Sequence, residues 1–359
     1  HTTRAALDAG VANAVAGKRL GDIGSAVQRM CEGEGYGVVR DLVGHGVGRR
    51  LHEPPNVPNL GRRGLGKKLV AGMTLCIEPM INGGTGDVTV DDDDWTVRTA
   101  DGKGSGYAAR DVNDVSKLST RSATEVAMQK ALASATARAL EPGKYTVILE
   151  PTASVELLQN MMGSMDGRSA DEGRSFLSKK GGGTRLGEKL FDERVTIYSD
   201  PTNGEIPTAA FSGGDGRPQE RVTWVEKGIV KNMYYSRFWA DKKGVKATPP
   251  PSAVIMVGGN QSLLDLIKGT EKGILVTRLW YIRAVDPQTL LYTGLTRDGT
   301  FFIENGQIKF PVKNFRFNES PVIMLNNLEA MGKPVRAGGH LIPPMKIREF
   351  TFTSLSDAV

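Results

Sequence analysis

The sequence predicts an α+β fold, in which a smaller α/β segment precedes an antiparallel region rich in β-strands. Residues Gly273–Phe317 are crowded with β-branched and aromatic side chains, which favour strands. Turn signals divide this stretch at Asp286-Pro287, Asp298-Gly299 and Asn305-Gly306. Because Asp-Gly and Asn-Gly tolerate the positive φ of tight hairpins, the pattern predicts a meander of strands. Its apolar face needs a second layer, which the chain from about Gly104 onwards supplies.

Length and composition set broad limits on the class of protein. At 359 residues the chain predicts two domains, and a change of character near Gly104 places them at 1–103 and 104–359. The net charge of +6 is carried by scattered bases, not by a basic helix with interleaved aromatics, so no nucleic-acid partner is expected. No apolar run approaches the ~18 residues of a membrane span, so no membrane association is expected.

The two cysteines bear on the compartment. Cys31 and Cys76 lie in apolar surroundings and give no disulfide framework, which predicts buried free thiols in a reducing cytoplasm. The first residues, HTTRAALDAG, show neither an initiator Met nor a signal-peptide pattern, and they are typical of the inside of a helix.

Apolar spacing, caps and turn residues predict the individual elements. In the first segment these are helices at 4–17 and from Asp22, strands at Tyr36–Val39 and Met73–Ile81 separated by a Gly- and Pro-rich loop, and a hairpin with its tip at Asp91–Asp94. In the second they are helices at Ser122–Leu140, Ala153–Met162 and Arg168–Ser178, and strands at Lys144–Glu150, Arg194–Tyr198 and Arg221–Lys227. The meander strands are Ile274–Ile282, Thr289–Leu295, Thr300–Ile303, Gln307–Phe310 and Val312–Phe317. The predicted apolar faces are Leu7, Val11 and Val15 on the first helix, Ile23, Val27, Met30 and Cys31 on the second, and Val155, Leu158, Met161 and Met162 on Ala153–Met162.

Three residues of the first segment stand out as candidates for a chemical role, His45, His52 and Glu78. His45 lies between glycines in Gly44–Gly48, where the backbone can approach a ligand closely. Glu78 lies in the mostly apolar run LCIEPM, and a carboxylate buried there needs a metal, an arginine or hydrogen bonds as its partner. Histidine and carboxylate are ligands for Zn, Mn, Fe or Co. A metal site and a structural hydrogen-bonded pair both fit this pattern.

The segments DLVGHGVGRRLHEPPNVPN, GMTLCIEPMIN and DDDDWTVRTADGK resemble the second half of a bacterial type I methionine aminopeptidase, over about residues 4–103. The resemblance implies part of that family's pita-bread fold. It places His45 and Glu78 at ligand positions of a two-metal centre. It also places His52 at the position of a histidine that contacts the substrate and assists catalysis. Two metals would activate a bridging water to attack the peptide carbonyl.

The resemblance leaves the ligand set incomplete. The family takes two aspartate ligands from its earlier half, and this segment begins after the point where they would lie. The bridging glutamate falls in Gly104–Ala109, which contains no acid. Two of five ligands cannot hold a catalytic pair of ions. We therefore expect no cofactor in the isolated chain, and a divalent metal (Zn, Mn, Fe or Co) only if another chain completes the site.

The rest of the sequence offers no complete catalytic motif. The single His-Glu step, His52-Glu53, is followed by Pro54-Pro55, which prevents the helix of a zinc-peptidase motif. His340 lies in Gly- and Pro-rich composition and is predicted to be a surface residue. The Asp91–Asp94 run is predicted to be a solvated loop tip. No cofactor-binding residue is predicted.

From about Gly104 to Val359 the chain resembles the C-terminal part of the TldD/PmbA family. The resemblance is carried by LEPGKYTVILEPTA, FLSKKGGGTRLGEKLFDERVTIY, VEKGIVKNMYYSR, the 273–317 meander and PPMKIREFTFTSLSDAV. It implies that family's antiparallel, β-rich fold. The family contains zinc metallopeptidase subunits and non-catalytic partner subunits, which assemble around a cavity and cleave unfolded peptides.

Peptidase members of this family carry His-Glu-x-x-x-His on the helix after the first strand of the region. Here that helix reads PTASVELLQNM, without histidine. The later cysteine of the zinc site is also missing, because no cysteine follows Cys76. On these positions the chain resembles the metal-free, PmbA-like branch.

Three interpretations follow from these resemblances. The first is a non-catalytic subunit of a proteolytic assembly, which binds unfolded peptide and pairs with a TldD-like sister subunit or with itself. The second is a metal-dependent aminopeptidase or protease, whose site around His45, His52 and Glu78 is completed by another chain. The third is that the junction near Gly104 is artificial, so that the first hundred residues have no function in this context.

Overall fold

The computed structural model describes residues 2–50, 52–82, 86–90, 97–99, 104–206, 208–212 and 216–356. The chain folds into two compact units, His1–Gly102 and Lys103–Val359. Helices and strands occur in both, which confirms the predicted α+β class. Within the described ranges, no helix combines the length and the apolar character that crossing a bilayer requires.

The described residues of the first unit form two helices and three pairs of short antiparallel strands, β1 with β4, β2 with β3, and β5 with β6. Its elements are α1 Thr2–Asn13, α2 Leu20–Gly33, β1 Gly37–Val38, β2 Gly44–Gly46, β3 Glu53–Val57, β4 Ile81–Asn82, β5 Val88–Val90 and β6 Val97–Thr99. The predicted hairpin tip Asp91–Asp94 lies outside the described residues.

The two helices pack through smaller side chains than the sequence predicts. On α2 the predicted face is confirmed for Ile23, Val27 and Cys31, which are fully buried, while Met30 points outward. On α1 the predicted face is wrong, because Ala6 and Gly10 are the buried residues. A Cβ on Gly10 would lie 3.0 Å from Cγ2 of Val27, so the missing side chain allows the helices to approach closely.

The middle of the first unit also differs from the prediction. The predicted strand Met73–Ile81 is wrong, since this segment forms one isolated bridge, Leu75 with Gly46, and contributes only its last residue to β4. The predicted Gly- and Pro-rich loop instead contains β2 and β3. Strands this short are stabilised by pairing with their neighbours, and they are too short to show an alternation of apolar and polar residues in the sequence.

Where the structure describes the second unit, it consists of helices and two larger sheets. Its elements are α3 Thr120–Ser134, β7 Gly143–Leu149, α4 Pro151–Gly163, α5 Gly167–Asp171, β8 Ile197–Ser199, β9 Val222–Glu226, β10 Ile229–Val230, α6 Arg237–Lys243, β11 Val254–Met256, α7 Leu263–Lys268, β12 Lys272–Asp286, β13 Leu291–Glu304, β14 Gln307–Pro311, β15 Phe315–Glu319, α8 Pro321–Asn326, β16 Leu328–Met331, β17 Val335–Ala337, β18 His340–Ile342 and β19 Met345–Leu355. The predicted helices at Ser122–Leu140 and Arg168–Ser178 are shorter, as α3 and α5.

One sheet has the strand order β10-β9-β8-β11-β18-β17. The other runs β12-β7-β19-β15-β13-β14, and β12 also pairs with β13. Because β12, the first strand of this order, also pairs with β13, the strands β12, β7, β19, β15 and β13 form a closed ring. Phe315, Phe317, Phe350 and Phe352 are buried together in this sheet, with Phe315 and Phe352 stacked at 4.5 Å between ring centroids.

The meander is confirmed as antiparallel, but one of its predicted turns is wrong. The predicted strands Thr289–Leu295, from its third residue, and Thr300–Ile303 belong to the single strand β13, which pairs with β12 along its length. Asp298 and Gly299 have φ of 58° and 123°, and the register shifts between Val276 and Arg278 opposite them. The Asp-Gly step therefore forms a bulge inside the strand, because bulges and tight turns need the same positive φ. Asn305-Gly306 forms the predicted hairpin turn between β13 and β14.

Helix α4 packs against both sheets of the second unit. It begins with Pro151 at its first turn, where a missing amide hydrogen costs nothing. The helix contacts β7 and β12 of one sheet and β17 and β18 of the other. The predicted inward face is confirmed, since Val155, Leu158, Met161 and Met162 are all buried.

Candidate functional site

In the first unit, the backbone brings His45 opposite Cys76. The amide of Cys76 donates to the carbonyl of His45 at 2.7 Å, and the amide of His45 donates to the carbonyl of Cys76 at 3.2 Å. Residues paired in this way on antiparallel chains project to the same face. The glycines beside His45 admit this neighbouring chain, because a Cβ on Gly44 would lie 2.2 Å from the Cys76 carbonyl oxygen. The sequence suggested that these glycines allow a ligand to approach the backbone. In the structure they allow a neighbouring backbone segment to pack closely.

Three potential metal ligands converge at this point. A ring nitrogen of His45, the Cys76 Sγ and a Glu78 carboxylate oxygen all lie within 4.8 Å of one another. His45 Nε2 is 4.0 Å from Glu78 Oε1. The His52 ring lies beside the His45 ring, with 4.1 Å between centroids at an angle of 44°. The structure therefore brings together the residues that the sequence singled out, and it adds Cys76.

The hydrogen bonding of His45 fixes which of its nitrogens is free. Nδ1 lies 2.9 Å from the Gly46 carbonyl oxygen, which can only accept a hydrogen bond, so Nδ1–H donates. Nε2 then keeps its lone pair and faces Glu78. This is the arrangement in which histidine usually binds a metal, with its other ring nitrogen donating to a carbonyl.

Two expectations about this site are wrong. The Glu78 side chain is 54% exposed, so it pays little desolvation and needs no partner to offset burial. Cys76 was expected to be a buried free thiol, but it is only half-buried and lies next to His45 and Glu78. The alternation Cys76-x-Glu78 could have indicated this, since residues two apart on an extended chain share a face. The expectation for Cys31 is confirmed, because it is buried.

The set of ligands fits one divalent ion and not two. One nitrogen, one sulfur and one carboxylate are the ligand types that zinc accepts, and three protein ligands leave a coordination position open. A second ion would need further carboxylates. The described residues contain no other group of three such ligands, and Gly104–Ala109 has no acid.

In the second unit, α4 borders a cavity of about 280 Å³. Val155, Leu158 and Met162 line it from the helix, and Val254 and Ile342 line it from β11 and β18. Polar side chains in the lining are Gln159, Tyr234 and His340, and Pro250 and Pro251 close another side. Helix α4 thus presents apolar side chains to a cavity.

His340 is not the surface loop residue that the sequence predicted. It begins β18 and is partly buried, and its Nδ1 accepts a hydrogen bond from the Val254 amide at 2.9 Å. Burial lowers the pKa of His340, and the nearby Asp111 carboxylate opposes this shift. With Nδ1 accepting, the neutral ring carries its proton on Nε2.

Asp111 fastens the segment after the junction to the β17–β18 hairpin. Its carboxylate accepts from Arg336 Nη2 at 2.7 Å and from the Gly339 amide at 2.6 Å. Burial alone would raise the pKa of Asp111, but the Arg336 and Gly339 hydrogen bonds lower it below the usual value. No periodic pattern marks this residue, so sequence reasoning missed it.

Comparison with known proteins agrees with both resemblances. Residues 142–354 match the family model of the PmbA/TldA metallopeptidase C-terminal domain, and residues 1–108 match metallopeptidase family M24. The first match covers more than half of the chain. The chain therefore belongs to the PmbA/TldA metallopeptidase C-terminal domain family, and it carries an M24-like segment in front of that domain.

Curated relatives match the first unit. The chain is 55% identical to a methionine aminopeptidase of Clostridium perfringens over 26% of this chain and 38% of that protein. It is 46% identical to methionine aminopeptidase 1 of Bacillus subtilis over 29% of this chain and 42% of that protein. The chain spans only about two fifths of the length of these relatives.

Solved structures match the second unit. A protein of Bacteroides thetaiotaomicron, described as a candidate modulator of DNA gyrase, is 26% identical with a TM-score of 0.60, over 67% of this chain and 54% of that one. TldE of Thermococcus kodakarensis is 19% identical with a TM-score of 0.58, over 66% of this chain and 56% of that one. The TldE similarity shows a shared fold, as the sequence predicted.

Proposed function

We propose that this chain is a non-catalytic, PmbA-like subunit of a proteolytic assembly, which binds unfolded peptide and pairs with a TldD-like sister subunit or with itself. The observation that carries the proposal is α4. The resemblance requires two histidines on this helix for a peptidase, and Val155, Leu158 and Met162 line a cavity there instead. An apolar cavity can bind a peptide side chain, but it cannot activate a water molecule.

The acid that remains on α4 also argues for this role. Glu156 is half-buried, and burial raises its pKa while Arg278 opposes the shift. The described residues of the second unit contain no cluster of three metal-binding side chains. A lone carboxylate without neighbouring metal-binding side chains suits a structural or binding role better than metal-assisted hydrolysis.

A terminal strand supports pairing with another chain. In the closed ring, β12 and β13 each have neighbouring strands on both edges. Among the strands of the predicted meander, β14 is therefore the one that lies at the end of its sheet. Gln307, Ile308 and Lys309 on β14 are exposed. The carbonyl of Pro311, at the end of β14, accepts from the Arg138 amide at 2.9 Å, and the exposed residues before it offer an edge to which a partner can add a strand.

The experiment is a pull-down with a TldD-type peptidase subunit from the same genome, combined with size-exclusion chromatography of this chain. We expect co-elution with the peptidase subunit or a dimer of this chain. Ile308→Lys should weaken the association, and Ile323→Lys, an equally exposed isoleucine on α8, should not. A strict monomer that captures no peptidase subunit would contradict the proposed role.

A second candidate function is favoured by the cluster in the first unit. Here the chain is a metal-dependent aminopeptidase or protease whose site at His45, His52 and Glu78 is completed by another chain. The convergence of His45, Cys76 and Glu78 within 4.8 Å supports it. His45, Cys76 and Glu78 would hold one ion, which would supply Lewis-acid activation of a water, and His52 would contact the substrate. Stoichiometric Zn, Mn, Fe or Co in purified protein, lost in His45→Ala, would favour this function over the first.

We also propose that 1–103 and 104–359 are separate domains. The two compact units of the structure support this division. Limited proteolysis should cut near residue 103 and leave a stable fragment that unfolds cooperatively. Cleavage that spreads through both regions at similar rates would contradict it.

A further inference from the structure

The cavity beside α4 has apolar walls that are already built. Val155, Leu158 and Met162 on the helix, and Val254 and Ile342 on the sheet, are all buried in the folded protein. At about 280 Å³ the cavity lies just below the usual range of about 300–1,000 Å³ for drug-sized ligands. This size suits one large side chain better than a cofactor.

The polar groups of the cavity are uncharged. No Asp, Glu, Lys or Arg is among the described residues that line it, so a charged ligand would find no counter-charge there. His340 is held by the Val254 amide at Nδ1, so only its Nε2–H is left to donate. Within the described part of the chain, neither Nε2 of His340 nor the hydroxyl of Tyr234 has a hydrogen-bond partner. A donor and a hydroxyl beside an apolar cavity suit a peptide group attached to an apolar side chain.

We infer that this cavity binds one large apolar side chain of an extended peptide, and that a neighbouring peptide carbonyl accepts a hydrogen bond from His340 Nε2–H. The inference rests on the proposed peptide-binding function and specifies its substrate class. The cavity selects peptides by one aliphatic or aromatic residue, and His340 binds the backbone irrespective of sequence. An unfolded chain exposes such residues, whereas a folded protein buries them.

The test compares two fluorescein-labelled peptides, Gly-Ser-Phe-Ser-Gly and Gly-Ser-Ser-Ser-Gly, by fluorescence anisotropy with the full chain. The phenylalanine peptide should bind at least about tenfold more tightly, since burying that side chain removes apolar surface from water. Gln159→Trp places an indole over the cavity from an exposed position of α4 and should remove this difference. Gln129→Trp, on an exposed position of α3, is the matched control and should leave it unchanged.

A second variant separates the two contacts. In His340→Asn the side-chain oxygen can still accept from the Val254 amide, but the Nε2–H donor is gone. Both peptides should then bind about tenfold less tightly, and the ratio between them should persist. A change confined to the phenylalanine peptide would overturn the role of His340.

Methyl-labelled methionine spectra locate the peptide. Met162 lines the cavity, so its resonance, assigned with Met162→Leu, should shift with the phenylalanine peptide and not with the serine peptide. If the peptides bind and Met162 does not respond, the cavity inference is overturned while peptide binding stands. If neither peptide binds at millimolar concentration, both the inference and the peptide-binding part of the proposed function fail, and the pull-down still tests the sister-subunit part.

Discussion

The amide of Cys76 donates to the carbonyl of His45 at 2.7 Å, and the amide of His45 donates back at 3.2 Å. This reciprocal pair holds an imidazole and a thiol on one face, with Glu78 within 4.8 Å of both. The geometry of the candidate metal site is therefore set by backbone pairing, in a part of the chain where the described strands are short.

Gly44→Ala should disrupt this pair. The new Cβ would lie 2.2 Å from the Cys76 carbonyl oxygen, so the two backbone segments that carry Gly44 and Cys76 must move apart. We expect the first unit to lose about 1–3 kcal/mol of unfolding free energy, as measured by urea denaturation.

Gly33→Ala is the control for that variant. Gly33 ends α2, and a Cβ there meets open space, so this change should be neutral or slightly stabilising. Equal losses in both variants would mean that the His45–Cys76 pairing does not depend on Gly44.

The first unit should bind at most one divalent ion per chain. His45, Cys76 and Glu78 supply one set of ligands, and the described residues contain no second set. Equilibrium dialysis against Zn²⁺ with elemental analysis measures the stoichiometry. Cys76→Ala should weaken binding as His45→Ala does, whereas Cys31→Ala, at a buried cysteine on α2, should not. Two tightly bound ions per chain would contradict this count.

Asp111→Ala should release the segment that follows the junction. The change removes the partner of Arg336 Nη2 and of the Gly339 amide. We expect a loss of about 1–3 kcal/mol, because Arg336 is left partly buried without its carboxylate. Hydrogen exchange at Gly339 should accelerate in step.

Asp114→Ala tests whether that effect is specific. Asp114 is exposed and accepts hydrogen bonds from Ser116, two residues away. This variant should leave exchange at Gly339 unchanged. Because the pKa of Asp111 is lowered in the folded protein, its stabilising contribution is present above pH 4 and is lost as the pH falls through the folded-state pKa.

The stability of the second unit should fall as the pH rises from about 4.5 to about 7. Burial raises the pKa of Glu319 to about 7, although the Thr351 and Ser320 amides donate to its carboxylate. A raised folded-state pKa means that the stabilising contribution is full below the unfolded value near 4.5 and is lost above about 7. The loss amounts to roughly 3 kcal/mol between these limits.

Glu319→Gln should remove this pH dependence, since glutamine does not titrate. Denaturant unfolding at pH 5 and pH 8 measures the difference directly. An unfolding free energy that changes between these pH values equally in both proteins would show that Glu319 is not its source.

Strong local signals predicted the second unit better than the first. The inward face of α4 could be read from helical spacing, and Asn305-Gly306 from its turn chemistry. Asp298-Gly299 was wrong for a physical reason, because positive φ marks a bulge as well as a turn. In α1 the buried face is formed by Ala6 and Gly10. These residues are buried because their small size lets α2 approach closely, and hydrophobicity alone does not identify them.

The candidate site could be predicted only for residues whose type, histidine or glutamate, is common in metal sites. His45, His52 and Glu78 could be singled out by residue type, whereas Cys76 was missed although its two-residue spacing from Glu78 places both on one face. His340 and Tyr234 reach the α4 cavity from distant parts of the chain, so their proximity is a property of the tertiary fold.

The most direct test of the non-catalytic role is a peptidase assay of the purified chain alone, on an unfolded protein and on a Met-initiated peptide, with Zn²⁺, Mn²⁺, Fe²⁺ or Co²⁺ supplied. We predict no hydrolysis above that of the His45→Ala protein. Turnover by the chain alone that disappears in His45→Ala would contradict the account.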